Sequence, residues 1–314
     1  MVSADITAQD SRPAEGAREQ GWTGRGWLIL ISLVIGVIIA VLWSADLVDD
    51  DIGVNAANGI LGHDSLTTNI TGSLAGIAFA FVTGLAGTFT ACNVAAFSAI
   101  APLMEEAPSA MTRAKAALRP LLWLSIGLIV VAAVYGAIAA TLGTSIPQLS
   151  NTVVDGIMPA RFLQAVIAFG LIGLIFVYLG LATAGIVPDP MRRATERFRY
   201  APQLLMGALI GGFLIGRPYP LFYKTFEYAA STHDGAYGAL VFVLVSLGNI
   251  VLMGVLFLLL SMTRFPQWLT ASPSRAAKFT AVALLIGGAF TIAYWVVRLP
   301  ANFGIGWFPH MPWS

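Results

Sequence analysis

The chain has 314 residues, of which 57% are hydrophobic and only 11% charged, and its mean hydropathy is +0.80. A soluble domain carries about 25% charged residues, so this composition describes a polytopic membrane protein whose medium is the lipid bilayer. The net charge of +1 argues against nucleic acid as a partner. The single cysteine, Cys92, excludes an internal disulfide and a cysteine metal cluster, and the three scattered histidines offer no haem or zinc site. No pattern calls for a metal or a cofactor.

Residues 1–21 are polar and lack a helical period, which predicts a disordered cytoplasmic tail. Trp22 and Trp27 bracket Arg25 at the start of an apolar span over 22–43, as interfacial anchors do. The span is longer than the roughly 7–15 apolar residues of a signal peptide and ends in a poor cleavage site, so it reads as a retained anchor helix. An outer loop follows at 44–71. Six further apolar spans lie at roughly 72–104, 121–143, 162–187, 203–230, 239–262 and 280–299, each reaching the ~20 residues that a ~30 Å hydrocarbon core requires. The segments 105–120, 188–202 and 263–279 are basic, whereas 44–71, 231–238 and the aromatic tail 301–314 contain no Lys or Arg. The positive-inside rule then predicts seven spans, with the N-terminus inside and the C-terminus outside.

One stretch departs from a plain crossing. Residues 211–227, GGFLIGRPYPLFYKTFE, place Arg217 near the middle of an apolar run and follow it with Pro218 and Pro220. Proline removes backbone donors and clashes with the preceding turn, so a helix break is expected here. A cation at bilayer depth costs at least about 2.5 kcal/mol and is tolerated where it faces protein or a watery cavity. The second span is comparable. Gly84 to Phe97 can be laid over Gly211 to Lys224 without a gap, which puts Cys92 opposite Tyr219. The two spans run in opposite directions, so 72–187 and 203–300 form an inverted three-plus-three repeat, and paired interrupted helices point to a site at its midplane.

An inverted repeat with a special dipeptide in the first helix of each half resembles the CcdA family and the membrane domain of DsbD. Those proteins pass reducing equivalents from cytoplasmic thioredoxin toward acceptors that include the cytochrome c maturation pathway. The resemblance implies the cytoplasmic (inner) membrane of a bacterium and a thioredoxin-like partner, or a partner within a respiratory or maturation complex. In that family each first helix carries a Pro-Cys pair. Here Thr90-Ala91-Cys92-Asn93 keeps the thiol without the proline, and Arg217-Pro218-Tyr219-Pro220 keeps prolines without the thiol. Two electrons held as a disulfide need a second, resolving thiol, so the standard two-cysteine mechanism is excluded within this chain.

Three roles stay open for Arg217: lowering the pKa of a facing Cys92; receiving an anion together with Thr88, Thr90, Asn93 and Tyr219; or satisfying the carbonyls of a broken helix. Asn249, in the sixth span, either bonds between helices or lines the same cavity. The function divides accordingly into transmembrane thiol-redox transfer, transport of a small anion or thiol compound, and a non-catalytic subunit. Other features have plainer readings. Glu227 pairs with Lys224, and Arg298 snorkels at the outer surface. Asp49, Asp50 and Asp51 are a solvated loop, and His310 and Met311 belong to an interfacial aromatic belt. Gly170, Gly173 and Gly180 allow close helix packing.

Overall fold

Lipid offers no hydrogen-bonding partner to a peptide group, so a chain this apolar satisfies its backbone by coiling into helices. The computed structural model describes residues 24–87, 110–263, 268, 272–309 and 311–313, and these are mostly helical. The tail at 1–21, together with Thr88, Thr90, Cys92 and Asn93, lies outside the described residues.

The helices are α1 (Arg25–Leu42), α2 (Asn55–Leu61), α3 (Ser73–Ala86), α4 (Ala110–Leu142), α5 (Ala160–Thr183), α6 (Arg192–Arg197), α7 (Ala201–Gly212), α8 (Pro220–Ser231), α9 (Gly235–Met262) and α10 (Pro273–Ile292). Two π-helical stretches, Asp46–Val54 and Ala293–Arg298, precede α2 and follow α10. A two-residue hairpin pairs Val153–Val154 with Met158–Pro159.

Five helices are long and apolar enough to cross a bilayer, and α7 with α8 makes a sixth crossing if the bent pair counts as one. Their outward faces carry large apolar side chains, among them Leu171 at 58% and Leu174 at 58% exposure. Such a surface fits a multi-pass membrane protein. At 14 residues α3 spans only about 21 Å, and the rest of the predicted 72–104 span falls outside the described residues.

Backbone contact at small residues sets the packing, since burying apolar surface drives little between helices in lipid. Ser32, Gly36 and Ala40, four residues apart, are the buried stripe of α1, and Gly36 lies against Ile286 and Ala289 of α10. Two crossings are built alike. A Cβ on Gly84 of α3 would overlap Val245 O and meet Asn249 N of α9, and one on Gly248 would overlap Phe81 O and meet Leu85 N. Likewise a Cβ on Gly207 of α7 would overlap Leu124 O and meet Leu128 N of α4, and one on Gly127 would overlap Leu204 O and meet Ala208 N. In all four cases the atoms met belong to residues three before and one after the partner glycine. Gly173 of α5 and Gly288 of α10 meet each other's carbonyl oxygens.

Candidate functional site

Between Ile215 and Pro220 the chain turns, leaving α7 and α8 bent by 84°. Arg217 and Tyr219 each precede a proline and are thereby steered away from helical backbone. Tyr219 is extended, at φ −59 and ψ 134, and Pro220 opens α8 at a position where its missing N–H costs nothing. A broken helix strands its last carbonyls. Two glutamines take them here: Gln148 Nε2 donates to Leu214 O at 2.7 Å, and Gln164 Nε2 donates to Ile215 O. Tyr135 joins the pair, its hydroxyl donating to Gln148 Oε1 at 2.6 Å and accepting from Gln164 Nε2 at 2.8 Å.

Arg217 is 6% exposed. Its Nη2 donates to Gly87 O, 2.8 Å away, at the C-terminal end of α3, and its guanidinium lies 4.2 Å from the centre of the Phe222 ring. A short helix that stops inside the protein gathers partial negative charge on its final carbonyls, and a cation is favourable there. These contacts show Arg217 satisfying a carbonyl at a helix end; Thr88, Thr90 and Asn93, which its anion-binding role involves, lie outside the described residues. Whether its guanidinium approaches Cys92 lies outside the described residues.

Three irregular segments meet at a cavity of about 310 Å³. The first π-helical stretch brings Asp46 and Asp49, the break brings Arg217 and Pro218, and the second π-helical stretch brings Tyr294 and Arg298. Asn302 closes the rim. π-Helical turns are rare and concentrate at functional sites, and here two of them face one hollow. Tyr219 lines this cavity but is 4% exposed. Its hydroxyl donates to Asp49 O at 2.8 Å and sits where a Cβ on Gly53 would be. Tyr219 therefore latches the first π-helical stretch onto the break.

Several expectations change. Arg298 does not snorkel: it is 5% exposed, and its Nη1 donates to Ala40 O at 2.9 Å and Trp43 O at 2.7 Å. It caps the end of α1, with its guanidinium 5.0 Å from the Tyr294 ring centre. Lys224 does not pair with Glu227. Its Nζ donates to the carbonyls of Ser65, Leu66 and Thr68 at 2.8, 2.8 and 2.6 Å, holding the loop before α3. Asp49 belongs to a helical turn on the cavity rather than to a solvated loop. Asn249 is buried at the α3–α9 crossing beside Gly84. Gly173 and Gly180 pack against α10, as does Gly170 against Val296 just beyond it. Among the described residues no three of His, Cys, Asp and Glu converge as metal ligands.

Sequence reasoning passed over Gln148, Gln164, Tyr135 and the buried role of Arg298. Gln164 did carry a signal, an amide inside an apolar span; Gln148 sits in a connecting segment and carried none. Comparison of the chain with known protein families, with curated proteins and with solved structures finds no match in any of the three.

Proposed function

We propose that the chain is a membrane carrier for a small polar solute, built as an inverted three-plus-three repeat with an added first helix, and resembling the CcdA and DsbD membrane proteins in plan. In this reading seven spans cross the cytoplasmic membrane with the N-terminus inside and the C-terminus outside, in accord with the basic segments at 105–120, 188–202 and 263–279. The like-built glycine crossings support the repeat: they pair Gly84 with Gly207 and Gly127 with Gly248. That register is one turn away from the overlay of Gly84 on Gly211.

The observation that carries the transport reading is the convergence of a helix break and two π-helical turns on one charged cavity. Carriers place solute at interrupted helices, where stranded backbone groups and half-helix ends supply the polar contacts. Flux of radiolabelled carboxylates, amines and amino acids into vesicles holding the purified protein tests it. The expectation is saturable uptake of at least one solute above protein-free vesicles; no flux of any would refute transport.

A second reading, thiol-redox work in cytochrome c maturation, draws on one contact. Arg217 is anchored on Gly87, five residues before Cys92, and a nearby cation favours thiolate. Alkylation of Cys92 across a pH series decides it: a thiol that reacts only near its ordinary pKa of about 8.5 removes the argument.

A further inference from the structure

We infer that the cavity selects a small zwitterion, a molecule of amino-acid type carrying one carboxylate and one ammonium group. The inference rests on the carrier reading above for its physiological meaning, but the binding it predicts stands by itself.

The charges facing the hollow are of both signs and come from the two π-helical stretches. Asp46 lies on the π-helical stretch after α1, and Arg298 on the one after α10. Among the described residues Arg298 forms no ion pair. Its Nη1 donates to Ala40 O and Trp43 O and its guanidinium lies by the Tyr294 ring, while among the described residues no acceptor takes Nε or Nη2, on a residue that lines the cavity. A guanidinium edge that no protein acceptor takes, on a residue lining a cavity, is open to a ligand. A carboxylate supplied by a ligand completes it, since a guanidinium presents two parallel N–H groups to a carboxylate. A purely anionic solute would then meet Asp46 with the wrong sign, and a purely cationic one would meet Arg298. A zwitterion satisfies both signs.

Size agrees. At a share of about 30 Å³ per water, 310 Å³ holds about ten waters. That accommodates a solute of a few non-hydrogen atoms with part of its hydration, at the small end of the range for ligand pockets. Tyr294 and Trp295 supply ring surface for a short side chain, and Asn302 adds a donor and an acceptor at the rim.

The test uses three matched probes on the purified full chain in mild detergent: L-alanine, propionate, which lacks the ammonium, and ethylammonium, which lacks the carboxylate. Binding is read from the part of the tryptophan fluorescence change that disappears in Trp295→Phe, and by calorimetry. L-Alanine is expected to bind at least tenfold more tightly than either of the others. Asp46→Asn, a change at an exposed position that leaves packing intact, is expected to erase the preference over propionate. Arg298→Lys keeps a cation for the α1 carbonyls but loses the paired N–H edge, and is expected to weaken L-alanine at least tenfold. Propionate or ethylammonium binding as tightly as L-alanine would overturn the inference, as would no binding of L-alanine at all. Zwitterion binding without flux of any solute in vesicles would end the carrier reading and leave the site standing. Flux of a simple anion or cation without L-alanine binding would do the reverse.

Discussion

Replacing Gln148 by methionine probes the stranded end of α7 directly. The side chain keeps its length and bulk but loses both polar contacts. Leu214 O loses its donor inside the protein, which costs about 1–3 kcal/mol for an unsatisfied buried group. The Tyr135 hydroxyl loses its acceptor but still accepts from Gln164, so its share is nearer the 0.5–1.5 kcal/mol of an ordinary hydrogen bond. The sum is about 1.5–4.5 kcal/mol, read as equilibrium unfolding by SDS in mixed micelles. Tyr135→Phe removes the other partner, so Gln148→Met and Tyr135→Phe together should cost less than the two separately. The shortfall should be about 0.6–1.5 kcal/mol, because interhelical hydrogen bonds in membrane proteins average about 0.6 kcal/mol in such cycles. Additivity within about 0.3 kcal/mol, with Gln148→Met costing under about 1 kcal/mol, would refute the capping role.

Two further outcomes follow from other contacts. Gly84→Ala and Gly207→Ala each drive a Cβ into a carbonyl oxygen of the neighbouring helix, which belongs to backbone and has little room to yield. Both should destabilise by a similar amount, about 1–3 kcal/mol. Gly254→Ala, which meets nothing within 4 Å, should be neutral or slightly stabilising; unequal effects of the first two would count against the matched crossings. At Asp64 the backbone N–H groups of Leu66 and Thr67 hold the carboxyl below its ordinary range. The folded pKa lies below the unfolded one, so this support is present above the unfolded value and disappears as pH falls through the folded value. Proteolysis of the 62–71 loop should therefore separate wild type from Asp64→Asn at neutral pH and converge at strongly acid pH, below about 3.9; a constant difference would contradict the linkage.

What the sequence makes legible follows from local chemistry. Two prolines flanking Tyr219 dictate a break wherever they stand, and an arginine in an apolar run must find acceptors, so the bend between α7 and α8 and the burial of Arg217 belong to the stretch itself. The acceptors are another matter. Gly87 lies 130 residues before Arg217, Gln148 lies 66 before Leu214, and Arg298 lies 258 after Ala40; no periodicity encodes such pairs. Arg298 looked like an interfacial snorkeller because hydropathy cannot tell lipid headgroups from the carbonyls of a neighbouring helix end. The acidic run at Asp49–51 looked like a solvated loop because charge alone hides a π-helical turn that Tyr219 pins from across the fold. The gapless overlay of Gly84 on Gly211 rests on the oddities of two segments, whereas the like-built backbone contacts are those of Gly84 and Gly207, which sequence spacing alone does not reveal.

The central claim is that a break and two π-helical turns enclose water and polar groups rather than lipid. Leu299 lines this cavity and Leu171 faces outward from α5 at 58% exposure. With Cys92 replaced by serine, the rate at which a charged, membrane-impermeant methanethiosulfonate modifies Leu299→Cys against Leu171→Cys in lipid vesicles decides the matter. Rapid reaction at 299 and none at 171 is the result this account predicts. A position 299 as inert as 171 would mean that lipid or packed side chains fill the hollow, and would contradict it.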